Sequence, residues 1–447
     1  MRSLILFMVF LVLAVLSLTM PSIGVLTWAW IAIMSPHRLT WDFTYTLQLN
    51  LVIVVITFIA WVVSREPKRL PMNSATAMII LFMAWMTVTT ATSLAPANSW
   101  FHWDLHIKNL VFSLAVMAVM RSQVRIQALI WIMVLSIGYF GVKGGGFTIV
   151  NGGAYTVLGP PESIIEDRNH LALACCMIIP LMNYLRVTTA NRLIKIGLML
   201  AMALTIISVI GSYSRGGFLA LSVTAFVFWL RSSGKLMTMV LLLACFVPAV
   251  SLMPASWKDR ISTIENYQKD DSVQGRFDAW NYAMRVAKDR PLLGGGLATT
   301  EVGAVFRKYV PGRPQRAAHS IYFQVLGDQG PIGLMIFLSI GVVGWLNTRS
   351  IIRLSKGKPE FEWAWHLGRM MQVSFISYFV AGAALSMAYY SVFFLSVVIV
   401  ALVKEILVKA ERAAVQPAAR VRRGGFLRPA ETPAPASAPA SASFPAN

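Results

Sequence analysis

The chain has 447 residues, of which 57% are hydrophobic and 13% charged, with a formal net charge of +20. Soluble globular domains carry about twice that charged fraction, and a mean hydropathy of +0.64 excludes an ordinary soluble protein. Lys and Arg collect in short loops between apolar runs, as retained cytoplasmic loops do, so the charge does not mark a nucleic-acid-binding protein.

Apolar runs of about 17–22 residues, the length that crosses a hydrocarbon core of about 30 Å, recur from end to end. They predict an all-α polytopic membrane protein. The first run, residues 4–20, has no small-residue cleavage site and leads into further apolar sequence, so it reads as a retained segment. Pro21 interrupts it, and residues 3–34 are expected to make one net crossing. Basic short loops lie at 65–69, 121–125, 186–195, 231–235 and 349–358, whereas the short loops 95–106 and 388–391 hold no Lys or Arg. Setting the basic loops in the cytoplasm predicts spans near 47–63, 74–94, 107–120, 126–142, 169–185, 193–210, 217–230, 236–254, 320–347, 368–388 and 391–408. With the N-terminal crossing this makes about twelve transmembrane helices.

Four regions follow: an N-terminal transmembrane bundle (1–254), a long external loop with amphipathic helices (255–318), C-terminal transmembrane helices (319–408) and a cytoplasmic tail (409–447). The long loop carries eleven Lys/Arg against seven Asp/Glu. Long loops escape the positive-inside bias, so these cations have no topological explanation and are candidates for binding an anion. The tail ends in low-complexity Ala/Pro/Ser sequence that lacks the apolar surface to fold. Its Arg412, Arg420, Arg422, Arg423 and Arg428 are expected to meet anionic lipid headgroups. Cys175, Cys176 and Cys245 fall inside spans and read as small packing residues, with no disulfide framework or zinc spacing.

Four stretches carry candidate chemistry. Residues 160–173 bring Glu162, Glu166, Asp167, Arg168 and Asn169 to a span entrance, where Arg168 is a phosphate contact that Asp167 would orient. The turn GSYSRGG, 211–217, holds Arg215, the one cation in a short external loop, beside serines and glycines that let backbone N–H groups approach a phosphate. A planar guanidinium suits that ligand, although a snorkelling interfacial arginine is the plainer reading. In 275–296, Phe277, Trp280, Ala283, Met284 and Ala287 recur at helical spacing, with Arg276, Arg285, Lys288 and Arg290 around them. This is an amphipathic helix for the outer membrane boundary, and its Arg276 is the cation most easily aimed over the membrane opening. His319 begins a span on the external side, with Ser320 and Tyr322 adjacent; a neutral imidazole can take a proton from a hydroxyl. Arg290 and Tyr322 are further candidates. His102 and His106 share an i, i+4 spacing but have only Asp104 nearby, which argues against a metal site.

Asn169 at a span entrance, Ser214-Arg215-Gly216-Gly217 in a short turn, Arg276 with Trp280, Leu293-Gly294-Gly295-Gly296, and His319-Ser320 before Leu326 and Gly330 form an ordered set. In that order and topology the chain resembles the O-antigen ligase and O-antigen polymerase superfamily over residues 45–408, and within it the ligase branch, including the O-glycosylation ligases that accompany exosortase systems. The resemblance implies a GT-C-type glycosyltransferase of the bacterial inner membrane with a periplasmic active site. It implies transfer of a glycan from undecaprenyl diphosphate to a sugar hydroxyl of lipid A core, with inversion and without a metal or other cofactor. Carried over by motif, Arg215 and Arg276 would hold the diphosphate, joined by Arg168 and Asn169, and His319 would be the base. The long loop would cover the donor. The chemistry of the residues agrees, because a lipid diphosphate is already a good leaving group and chiefly needs fixed positive charge. The same residues would serve a polymerase or a protein O-glycosylation ligase. A lipid-linked glycan transporter would favour paired ionisable groups within the membrane, and the span centres are nearly devoid of charge.

Overall fold

The computed structural model describes residues 1–231, 235–236, 239–240, 243 and 271–423. Most of the expected span 236–254, loop residues 255–270, Cys245, Arg428 and the end of the tail lie outside the described residues. By contact the chain divides into Met1–Leu407 and Val408–Asn447, the second unit being helical through Arg423.

Fourteen α-helices are described, and the described residues contain no strand. They are α1 (Arg2–Thr19), α2 (Pro21–Met34), α3 (Leu49–Val63), α4 (Ser74–Ala91), α5 (Pro96–Val119), α6 (Gln123–Val150) and α7 (Arg168–Thr188). Then follow α8 (Arg192–Gly211), α9 (Arg215–Arg231), α10 (Asp271–Asp289), α11 (Gly303–Tyr309), α12 (Ile321–Ser355), α13 (Glu362–Gly382) and α14 (Ser391–Arg423). Seven are long and apolar enough to cross a membrane by length and composition: α1, α4, α6, α7, α8, α12 and α14 up to Ala414. Helices α2 and α3 are apolar but shorter. The chain is a multi-pass membrane protein, and its described secondary structure is helical.

Burial ranks the helices by position. The apolar window of α7 is 83% buried and that of α14 78%, whereas α1 and α8 reach only 28%. Helix α7 therefore forms the centre, packed by α8, α9 and α13. Leu4, Ile5, Met8 and Leu11 of α1 point outward, as a lipid-facing stripe requires.

Two close approaches explain local sequence. Helix α6 continues through Gly144-Gly145-Gly146, past the expected end of its span at residue 142. A Cβ on Gly145 would collide with the Leu204 carbonyl of α8, and one on Gly141 would strike the Thr205 side chain. Small residues let membrane helices meet backbone to backbone, so the glycine run is a packing surface. The second approach is a break in α12. Pro331 has no N–H, and Gly330 adopts φ 69° and ψ −177°, freeing the carbonyls of the preceding turn. The 293–296 segment satisfies them: Gly295 N–H donates to Gly327 O at 2.7 Å and Gly296 N–H to Asp328 O at 2.9 Å. The indole of Trp85 donates to Gln329 O at 3.0 Å. Gly294, at φ 67°, lies so close that a Cβ there would collide with Gly330 N.

Helix ends depart from the expected spans elsewhere as well. Residues 96–106, read as loop, form the first turns of α5, and the helix over 368–388 stops at Gly382. The apolar composition of 383–390 looks like helix, yet its backbone is bonded by side chains: Gln324 Oε1 accepts from Ala388 N at 3.1 Å, and Tyr378 O–H donates to Met387 O at 2.9 Å. Pro21 begins α2 at its first position and so separates two helices.

The loops read as external bond to one another at one end of the bundle. Arg38 pairs with Glu162 at 2.5 Å, Val157 N–H donates to Gly211 O at 3.1 Å, and Leu94 N–H donates to Gly295 O at 2.8 Å. The basic loops are held as well, one to another and one to a helix. Arg125 grips Glu66 with both terminal nitrogens, at 2.6 and 3.1 Å, and Arg369 donates to the Arg231 carbonyl.

Candidate functional site

The site begins at two helix N-termini. Asp167 caps α7, its carboxylate accepting from Asn169 N–H at 2.8 Å. Burial opposes ionisation there, but the bonds from Asn169 and His170 and the charge of His170 outweigh it, and the Asp167 carboxyl is held below the usual carboxylate range. At the start of α9, Ser214 Oγ accepts from Gly217 N–H at 2.9 Å and donates to Asn169 Oδ1 at 2.7 Å. A Cβ on Gly217 would press on Ala172 of α7 at 2.5 Å, so glycine lets the two helix starts sit side by side. Arg168 and Asn169 in the first turn of α7 and Arg215 in the first turn of α9 are thereby brought together. Tyr213, just before α9, has φ 54° and is anchored through its hydroxyl to Gly153 O at 2.6 Å.

Helix α10 packs along α12 and carries Arg276 to the same place. The result is a cavity of about 240 Å³ lined by Asp167, Arg168, Asn169, Tyr213, Arg215, Arg276 and His319. Three guanidinium groups face one carboxylate. Two helix N-termini add to the positive field. His319 sits two residues before α12, and its imidazole is held below its ordinary 6.5. Burial is the main cause, reinforced by Arg276 and more weakly by His170 and Arg316, with Asp167 pulling the other way. The ring is thus neutral at physiological pH. Chemically, the cavity can hold an oxyanion and accept one proton.

The cavity collects six of the residues singled out in the sequence: Asp167, Arg168, Asn169, Arg215, Arg276 and His319. Arg290 and Tyr322 stand elsewhere. The Arg290 guanidinium donates to Thr92 O at 2.5 Å, which ties α10 to the end of α4, and the Tyr322 hydroxyl donates to Phe379 O at 3.0 Å. Tyr213 was not among the candidates; its position inside the GSYSRGG turn was the available signal. His106 stacks on Tyr389 with centroids 4.3 Å apart, and His102 lies 3.9 Å from Glu301. Cys175 and Cys176 are buried.

Fold and cavity define a class, a multi-pass helical membrane protein with a cationic pocket among the loops at one end of its bundle. Residues 200–338 match the family described as O-antigen ligase, and residues 1–190 match a family of unknown function, DUF5935. The second match supports a relation of residues 200–338 to the O-antigen ligase and polymerase superfamily. No curated protein matches it. The cavity draws on both matched regions, with Asp167, Arg168 and Asn169 from the first and Tyr213, Arg215, Arg276 and His319 from the second.

Proposed function

We propose that the protein is an inverting, metal-independent glycosyltransferase of the GT-C type in the bacterial inner membrane. It moves a glycan from undecaprenyl diphosphate to a sugar hydroxyl of lipid A core on the periplasmic face. The observation that carries this reading is the gathering of Arg168, Arg215, Arg276 and His319 around one cavity at two helix N-termini. Arg215 and Arg276 bind the diphosphate, with Arg168 and Asn169 completing its seat. His319 takes the proton of the acceptor hydroxyl as its oxygen attacks the anomeric carbon. The bond from that carbon to the phosphate oxygen breaks, the lipid diphosphate leaves into the arginines, and attack from the opposite face inverts the centre.

Magnitudes favour this division of labour. Fixed charge aimed at a leaving group in a low-dielectric site is commonly the largest catalytic contribution, and one positioned base adds about 10²–10⁴ in rate. A divalent cation here would meet a single carboxylate, Asp167, among three guanidinium groups, a donor set that supports arginine in its place.

The test is reconstitution of purified protein with a lipid-diphosphate glycan and lipid A core in excess EDTA. Coupled product is expected. Movement of the donor without any product would replace the enzyme with a transporter, and product formed only on a second lipid-linked glycan would make it a polymerase.

A further inference from the structure

Resting on that reading, we infer that Ser386 and Trp280 are positioning residues that hold the backbone of His319 in a left-handed conformation and so fix the imidazole against Arg276. His319 has φ 42°, a region that non-glycine residues occupy only when their surroundings hold them there. Two contacts from distant elements do so. The Ser386 hydroxyl, in the loop between α13 and α14, accepts from the His319 N–H at 2.7 Å. On the other side of the same peptide unit, the Trp280 indole N–H donates to the carbonyl of Ala318 at 2.8 Å.

Both anchors are themselves held. The Trp280 ring stacks on Phe323 in the first turn of α12, with centroids 4.7 Å apart and planes within 13°. Trp280 lies one turn after Arg276 on α10, so a single helix carries the arginine and the clamp on the residue beside it. The loop holding Ser386 is also fastened to α12, by Ala388 N–H to Gln324 Oε1 at 3.1 Å and by the Tyr389 hydroxyl, which donates to Asp328 Oδ2 and accepts from Gln329 Nε2, both at 3.0 Å. Neither Ser386 nor Trp280 lines the cavity. Their effect on transfer must pass through the peptide that carries His319.

The experiment combines kinetics with NMR titration of the His319 imidazole in wild type, Ser386→Ala, Ser386→Thr and Trp280→Phe. The last retains the aromatic packing on Phe323 and removes only the indole donor. In Ser386→Ala, kcat is expected to fall by about 10- to 100-fold while donor KM changes less than about twofold, because orientation and not binding is lost. The imidazole titration should move up towards an ordinary histidine as the ring leaves Arg276. Ser386→Thr should restore both, and Trp280→Phe should repeat the Ala result in milder form. Should Ser386→Ala fail to insert, Trp280→Phe carries the same test. Wild-type kcat and an unshifted titration in both Ser386→Ala and Trp280→Phe would overturn the inference. The titration stands apart from turnover: full activity of His319→Ala would remove the base, yet the NMR would still report whether the two side chains place the ring.

Discussion

At His319 the local field opposes protonation. Buried beside Arg276, the imidazole titrates below 6.5, so as pH falls it stays neutral past the point where an ordinary histidine charges. A base must be neutral to act, and kcat/KM reports the free enzyme. The acidic limb of that profile should therefore lie below the ordinary imidazole value and stay flat through neutrality. Replacing Arg276 with Gln removes a charge that lowers the pKa, so the limb should shift to higher pH; a shift to lower pH would show that Arg276 does not face the ring. Ser214 offers a second check, since one hydroxyl caps α9 and holds Asn169. Ser214→Ala should cost about 1 kcal/mol of stability and weaken donor binding, readable by thermal unfolding in detergent and by titration with the donor. Arg215 was legible because a cation in a very short external turn opposes the orientation signal. Ser386 was not, because 67 residues separate it from the peptide it holds and its composition is that of any loop serine.

At the scale of elements, the glycines of 294–296 and the break at Gly330 form one device. The break opens carbonyls, and the glycine segment closes them while joining the end of α4 to α12. Gly294→Ala meets both a left-handed φ and a backbone collision, so it should destabilise the protein by about 1–3 kcal/mol or more. Gly197→Ala in α8 is the control: nothing lies within 4 Å of its Cβ, and alanine favours helix by up to about 1 kcal/mol. Thermal unfolding of the two in the same detergent should separate them clearly; equal midpoints would show that the 293–296 segment does not lock the break. Most helices were legible from apolar length, because a membrane span must satisfy its own backbone. The misread segments are those where length and polarity mislead. The glycine run of α6 looks like loop but is a packing surface for α8. Residues 383–390 look like helix, but side chains of α12 and α13 bond their backbone.

At the scale of the whole molecule, the cavity is made by four segments that the chain separates widely: the starts of α7 and α9, one face of α10, and the approach to α12. That convergence was foreshadowed only by parity, since counting spans put Asn169, Arg215, Arg276 and His319 on one face without saying how near they would lie. Phosphatase fusions check the same parity in cells. They should be active after residue 155 and inactive after residue 68 or 190, and the reverse pattern would turn the cavity towards the cytoplasm. The region matching a family of unknown function supplies Asp167, Arg168 and Asn169 to the cavity wall, and under the proposed function these residues would help to seat the diphosphate. Arg168→Ala should therefore weaken donor binding without changing insertion. The central claim, that guanidinium groups and an imidazole at one cavity perform the transfer, is tested most directly by assaying wild type, Arg215→Ala and His319→Ala side by side in liposomes for donor affinity and coupled product. The account predicts lost product in both variants, with donor affinity reduced in Arg215→Ala and retained in His319→Ala. Wild-type product from either variant would contradict it.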